Sequence, residues 1–190
     1  MFFWFSQTGE NEAWKPATAD QRANVISTFT PSFVTVLDAA RTPQDDWERA
    51  DFLKLAYSGP LYFDFDLDTT DEEGLVKTTN AFKLFLITLQ DDYDVNLQTL
   101  KLFATGGRGY HIEVPMKTFI TKVPTAGVPM LPMVYREMAI ELAVETLDLA
   151  IYSTRRGRMW RVPNIERTNG RFKVPISVAE ALSMDSETYL

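Results

Sequence analysis

The sequence predicts a fold of the α/β or α+β class built around a mixed sheet. Segments of alternating apolar and polar residues, which are typical of strands, are separated by segments with helical periodicity. An Asn-Gly pair at residues 169–170 also predicts a β-hairpin in the last quarter of the chain. The 190 residues, 45% of them hydrophobic and 13% aromatic, suffice for one substantial core. We therefore expect one domain over residues 1–190, either complete or the core of a longer protein.

The first half of the chain predicts strands and helices in alternation. The expected elements are a strand at residues 33–37, a short helix at residues 44–57, a strand at residues 61–68, a helix at residues 78–89 and a strand at residues 100–104. The helix at 78–89 has the apolar periodicity of a helix packed on a sheet.

The second half continues with a glycine-rich turn at residues 105–109. The elements expected after it are a strand at residues 110–114, a long amphipathic helix at residues 131–151, and short strands at residues 159–162 and 172–174. Pro132 is suited to the first turn of the long helix. Alternation in the strand after the turn places His111 on its polar face.

The composition limits where this protein can work. It contains no cysteine, which excludes disulfides, Cys-ligated zinc and iron–sulfur clusters and suits a reducing compartment. No apolar segment approaches the roughly 20 residues of a membrane span, and the apolar start of the chain is too short for a signal sequence. We therefore expect a cytoplasmic protein that does not bind membranes.

The charge of the chain is distributed unevenly. The formal net charge is −7, yet residues 155–173 contain seven basic residues and one acid, which gives that segment +6 and leaves −13 for the rest. Such asymmetry predicts a localised anion-binding strip on an acidic body. The alternative is a basic loop that is simply solvated.

Two carboxylates one residue apart are the most informative feature. Asp64 and Asp66 lie in the run Leu-Tyr-Phe-Asp-Phe-Asp-Leu-Asp at residues 61–68, whose strict alternation predicts a half-buried strand with the acids on one face. Alternate side chains of a strand are roughly 7 Å apart, so both carboxylates can converge on one cation. The alternative is a solvated strand face beside a turn.

Three features in this order resemble the catalytic core of the archaeo-eukaryotic primase superfamily, which includes small-subunit primases and primase-polymerases. The acidic strand resembles the Asp-x-Asp motif of that family. The run Thr-Gly-Gly-Arg-Gly-Tyr-His at residues 105–111 resembles its second motif, with threonine in place of the usual serine. The Arg-Val-Pro at residues 161–163 and the segment 168–175 resemble its basic region. Together the motifs span about 110 residues.

The resemblance implies roles for individual residues. The catalytic and metal-binding residues would be Asp64, Asp66 and Asp148. The nucleotide-binding residues would be Thr105, Gly106, Gly107, Arg108, His111, Arg161, Arg167 and Lys173. Arg167 stands where many members have a histidine, and the spacing of Asp148 is the weakest correspondence. Trp160 is expected in the core, with stacking on a template base as the alternative.

The resemblance also implies a fold and an activity. The fold would have two parts, an N-terminal α/β unit and a C-terminal unit with an RNA-recognition-motif-like sheet that is mixed or antiparallel. The protein would use Mg²⁺ or Mn²⁺, and no zinc, to join nucleoside triphosphates into primers on single-stranded DNA. Its partners would include a replicative helicase or a further helical region. The rival hypotheses are a non-catalytic module that binds single-stranded nucleic acid and a metal-dependent phosphoesterase.

Overall fold

The described part of the chain has an α+β fold with two antiparallel β-sheets and four α-helices. The computed structural model describes residues 1–7, 14–42, 54–66, 71–107, 109–153, 159–185 and 189. Every strand pair in those ranges is antiparallel, so the described strands do not form the mixed sheet that the alternation of strands and helices predicted.

The elements of the described chain have the following bounds. The strands are β1 (Phe2–Ser6), β2 (Lys15–Thr18), β3 (Phe33–Thr35), β4 (Asp38–Ala39), β5 (Ala56–Ser58), β6 (Leu61–Phe65), β7 (Lys101–Ala104), β8 (Tyr110–Val114), β9 (Val128–Pro129), β10 (Met159–Arg161) and β11 (Val174–Ile176). The helices are α1 (Arg22–Phe29), α2 (Glu72–Asp91), α3 (Leu131–Glu141) and α4 (Val178–Ser183).

The larger sheet collects strands from both ends of the chain. Six of its seven strands follow the order β10-β3-β1-β4-β5-β9, and the seventh, β2, pairs with β1 outside this order. Because β9 and β10 belong to the second half of the sequence, this sheet is not a separate N-terminal unit. Trp160 lies at the centre of β10, opposite Val34 of β3.

The smaller sheet has four strands in the order β11-β7-β8-β6. One face is apolar and packs on α2, where Phe63 meets Phe85 with ring centroids 4.7 Å apart and Phe65 meets Phe82 at 5.7 Å. Asp71 caps α2 by accepting a hydrogen bond from the backbone N–H of Gly74 at 2.8 Å. The helix predicted at residues 78–89 is thus confirmed and begins six residues earlier.

The larger sheet covers the second face of the four-stranded sheet. Trp160 stacks on His111 with ring centroids 4.0 Å apart and meets Tyr62 edge to face at 5.7 Å. As a result all five residues of β6 are buried, including Asp64. The prediction of a half-buried strand was therefore wrong, because a second layer lies over the polar face.

Two helix predictions need correction. The helix predicted at residues 44–57 falls mostly on residues 43–53, which lie outside the described chain, and its end is strand β5, which pairs with β4 and β9. The helix predicted at residues 131–151 ends at Glu141. Beyond it Leu147 forms an antiparallel bridge with Phe65, so backbone pairing with the edge of β6 replaces helical hydrogen bonding there.

The turn of the hairpin predicted around residues 169–170 is present, but the two flanking strands do not pair with each other. Arg167 N–H donates to the carbonyl of Arg171 at 2.8 Å, and Glu166 and Phe172 make one bridge. The flanking strands then separate, since β10 pairs with β3 in the larger sheet and β11 pairs with β7 in the smaller one. The turn therefore connects the two sheets.

None of the helices in the described ranges combines the length and the apolar character that crossing a membrane requires.

Candidate active site

A cavity of about 230 Å³ opens between the two sheets. Eight of the residues predicted as site residues from the sequence line it: Asp64, Asp66, Thr105, Gly107, His111, Arg161, Arg167 and Lys173. Phe33, Met159 and Trp160 of the larger sheet complete the described wall. The structure thus gathers residues that are up to 109 positions apart in the sequence.

Asp64 and His111 form the buried centre of the cavity. They are directly opposite each other on β6 and β8, and directly opposite residues of an antiparallel pair project on the same side of the sheet. His111 Nε2 lies 3.3 Å from Asp64 Oδ1, and the two residues are 8% and 5% exposed. Trp160 of the larger sheet stacks on His111, so water has little access to the two side chains.

Asp66 lies immediately after β6 and is exposed, in contrast to Asp64. Its backbone N–H donates to the carbonyl of Thr146 at 3.1 Å, which holds the chain in an extended course beyond the strand end. The two carboxylates predicted to act together therefore line one cavity from different depths.

Asp148 is placed next to Asp64 by backbone pairing. Its N–H donates to the Asp64 carbonyl at 2.9 Å, and the bridge between Phe65 and Leu147 makes Asp64 and Asp148 opposite neighbours on one side of the sheet. Its carboxylate, however, accepts a hydrogen bond from Ala150 N–H at 2.8 Å. Asp148 is accordingly absent from the described residues that line the cavity.

The donor set suits a hard divalent cation, although the side chains do not converge. Asp64 and Asp66 offer carboxylate oxygens, which Mg²⁺ and Mn²⁺ prefer, and Asp148 stands one strand spacing away. In the described part of the chain, no three histidine, cysteine or acidic side chains cluster closely enough to hold a metal ion.

The glycine-rich turn at residues 105–109 forms one rim of the cavity. Gly106 has φ +66°, and a Cβ there would overlap the carbonyl of Phe172, so only glycine is suited to this position. Gly106 supports the turn and is not among the described lining residues, whereas Thr105 and Gly107 are. Arg108, predicted to bind nucleotide, lies outside the described residues.

Two arginines add positive charge to the wall of the cavity. Arg167 Nη1 donates to the carbonyl of Thr105 at 3.0 Å, which fixes its guanidinium beside the glycine-rich turn. Arg161 lies over the ring of Phe33, with its Cζ 4.4 Å from the centroid. Burial lowers the pKa of Arg161, and the nearby charge of Arg167 lowers it further. Two guanidiniums this close favour an anion between them.

Lys173 is the most deeply buried cation in the described part of the chain, with 2% of its surface exposed. Its Nζ lies 4.1 Å from the ring centroid of Phe103 and 4.5 Å from that of Trp160. Burial lowers the pKa of Lys173 to about 8, although the charges of Glu113 and Asp64 act to raise it. The ammonium group is therefore held in the cavity at a cost in free energy.

The structure adds residues that the sequence did not indicate. Trp160 is in the core as expected, yet it also forms the cavity wall and contacts His111. Tyr189 packs on the glycine-rich turn through its hydroxyl, 80 positions away from Gly109. No sequence signal indicates this contact, since a single tyrosine in a polar segment has no periodicity.

No protein-family model matches this chain, and no curated protein sequence matches it. The resemblance to the archaeo-eukaryotic primase superfamily therefore rests on the motifs alone and stays a prediction.

Proposed function

We propose that this protein is a metal-dependent nucleotidyltransferase that joins nucleoside triphosphates into a chain along a single-stranded DNA template. One observation carries the proposal: a single cavity is lined both by the carboxylates of Asp64 and Asp66 and by the cations Arg161, Arg167 and Lys173. A reaction that needs divalent metals beside a polyphosphate requires acids and cations in one cavity.

The proposed roles follow from position. Asp64 and Asp66, with Asp148 from the neighbouring segment, would hold Mg²⁺ or Mn²⁺. When bound, the metals would neutralise charge on the transferred phosphate and favour ionisation of the attacking hydroxyl. Arg161, Arg167 and Lys173 would bind the triphosphate. His111, held by Asp64 and by the Trp160 ring, would present its imidazole to the same phosphates.

The finer architecture of a primase core belongs to the same proposal. The four-stranded antiparallel sheet with α2 on one face is the candidate for the RNA-recognition-motif-like unit, and the seven-stranded sheet for the second unit. The cavity between the sheets is compatible with an active site in the cleft between two units. The position of the cavity supports an active site between two units, although the seven-stranded sheet takes strands from both halves of the chain.

The basic segment supports a polyanionic substrate. Three of its cations, Arg161, Arg167 and Lys173, line the cavity, while Arg171 lies on the exposed turn beyond it. Contacts of these side chains with the phosphate backbone of DNA carry little sequence information and depend strongly on salt. We expect the affinity for single-stranded DNA to fall steeply when the salt concentration is raised from about 50 to about 200 mM, because binding releases counterions from the phosphates.

The test is an incubation of the protein with labelled ribo- or deoxyribonucleoside triphosphates, Mn²⁺, and a primed or unprimed template. The variants are Asp64→Asn and Asp66→Asn, which remove charge and preserve side-chain shape. Asp91→Asn serves as the matched control, because Asp91 is exposed at the end of α2. We expect extended products from the unmodified protein and from Asp91→Asn, and a loss of about 100-fold or more in both site variants.

Other results would replace this proposal. Release of phosphate or diphosphate without chain extension would support a phosphoesterase. Template binding without any product, unchanged in Asp64→Asn, would support a non-catalytic module. Extension that persists in both site variants would show that the acids of β6 are not catalytic.

A further inference from the structure

The hydroxyl of Tyr189 is bonded to both ends of the glycine-rich turn. It donates a hydrogen bond to the carbonyl of Gly109 at 2.8 Å and accepts one from the N–H of Gly109 at 3.0 Å. The same oxygen lies 3.2 Å from Thr105 Oγ1. One side chain thus joins the first and last residues of the turn.

The number of hydrogens determines the direction of the third bond. A tyrosine hydroxyl has one hydrogen, and that of Tyr189 goes to the Gly109 carbonyl. The hydroxyl of Thr105 must therefore donate to the Tyr189 oxygen, while Thr105 Oγ1 accepts from the N–H of Gly107 at 3.3 Å. The only hydrogen of the Thr105 hydroxyl is engaged within the protein, and a phosphate oxygen would have to compete for it.

The Tyr189 ring is itself held firmly. It meets Tyr110 edge to face at 5.1 Å, and Tyr110 stacks on Phe82 of α2 at 4.2 Å with an interplanar angle of 7°. The Tyr110 hydroxyl bonds Thr79 Oγ1 at 2.9 Å. The brace on the turn is therefore anchored in the core beneath the four-stranded sheet.

We propose that Tyr189 is a positioning residue that fixes the phosphate-binding turn, and that Thr105 acts through Tyr189 instead of contacting phosphate. The inference rests on the proposed function, since it assigns parts of the same site. Arg167 also holds the turn, because it donates to the Thr105 carbonyl. A fixed turn keeps this guanidinium in place beside an incoming anion, so binding costs less conformational freedom.

The experiment is a double-mutant cycle that measures tripolyphosphate binding by calorimetry. The variants are Tyr189→Phe, Thr105→Val and the double variant, and Tyr93→Phe is the matched control because Tyr93 is 55% exposed outside the cavity. We expect each single variant to bind tripolyphosphate about five- to tenfold more weakly. The double variant should be no weaker than either single variant, because both remove the same brace.

A second measurement reports on the brace itself. Hydrogen exchange at the Gly109 amide should accelerate in Tyr189→Phe and stay unchanged in Tyr93→Phe, since only the former removes its acceptor. Thermal unfolding of each variant identifies any that fails to fold.

The outcomes separate the two proposals. If Thr105→Val weakens binding further in the Tyr189→Phe background, Thr105 is a direct ligand and the inference is wrong. Unchanged affinity in Tyr189→Phe would also overturn it. The unmodified protein could also bind no tripolyphosphate while exchange of the Gly109 amide still depends on Tyr189. That result would overturn both the proposed function and the positioning role, and it would show only that Tyr189 is bonded to the turn.

Discussion

The two faces of the four-stranded sheet are both buried, yet they have opposite chemistry. The face toward α2 presents Phe63, Phe65 and Ile112, and it packs ring against ring. The face toward the larger sheet presents Asp64 and His111. Burial of apolar side chains on the first face stabilises the fold, whereas burial of charged groups on the second face offsets part of that stabilisation.

Because alternate residues of a strand project to opposite faces, the same strand can place core residues on one face and polar residues of the candidate site on the other. In β6 the odd-numbered residues face the helix and the even-numbered residues face away from it, where Asp64 lines the cavity and Tyr62 packs against Trp160. Substitutions on the two faces should therefore have different consequences. Those on the helix side should change the free energy of unfolding, and those on the cavity side should change binding or activity.

The largest effect is expected from Phe63→Ala on the helix side. Phe63 is fully buried against Phe85, so the variant leaves a cavity and should lose about 3–5 kcal/mol in the free energy of unfolding. Leu84→Ala is the control, since Leu84 is 56% exposed on the outer side of α2 and should change stability by less than about 0.5 kcal/mol. Urea denaturation measures both. Equal losses would contradict the packing described for this face.

Gly109→Ala should be next in size. A Cβ at Gly109 would overlap the carbonyl oxygen of Phe65, so backbone atoms must move, at a cost of about 3 kcal/mol. Gly170→Ala introduces the same methyl group at φ +75° in open space and should cost only about 1 kcal/mol of strain. Thermal unfolding of the two variants compares them. If Gly170→Ala is the more destabilised, β6 and the turn are less closely packed than described.

Lys173→Met should stabilise the fold while it weakens phosphate binding. Burial lowers the pKa of Lys173 from 10.5 to about 8, so the charged ammonium destabilises the folded state at neutral pH. Removing that charge should raise the free energy of unfolding at pH 7 by about 1–2 kcal/mol. Chemical denaturation at pH 7, with tripolyphosphate binding measured alongside, tests both statements.

The pH dependence gives the same lysine a distinctive signature. Between pH 8 and 10.5 the unfolded chain keeps a proton that folded Lys173 has released, so stability should rise with pH through this window. Below pH 8 both states are protonated and the cost is present in full. The Lys173→Met variant should lack this rise, so the rise should remain in the difference curve between the two proteins, in which tyrosine ionisation cancels. A flat difference between the two proteins would show that Lys173 is not buried in its charged form.

The smallest effect is expected at the rim of the cavity-side face. Lys101 Nζ lies 3.6 Å from Glu113 Oε2, but most of the lysine side chain is exposed. Water and salt screen such a pair, so Lys101→Ala should change the free energy of unfolding by no more than about 0.5 kcal/mol. Denaturation in low and high salt measures it. A loss above 1 kcal/mol, roughly the upper limit for exposed ion pairs, would show that this edge is more buried than described.

The sequence predicted elements well where a local pattern and a local boundary agreed. Strand β8 has the bounds predicted from alternation directly after the glycine-rich turn. Prediction failed beyond Glu141, where helical periodicity continues but the backbone of residues 146–148 pairs with the end of β6 and Leu149–Ser153 forms a 3-10 helix. It also failed at the Asn-Gly turn, whose flanking strands join different sheets. In both places a distant partner for the backbone decided the outcome.

By itself the sequence determined which residues are chemically suited to a site, because carboxylates, glycines and cations are identities that no fold can change. Alternation also fixed which side of β6 and β8 would carry them. Only the tertiary structure decided that the polar face would be covered by Trp160 and that Tyr189 would reach Gly109. Those contacts join residues tens of positions apart, and their energy depends on distances that a linear pattern does not contain.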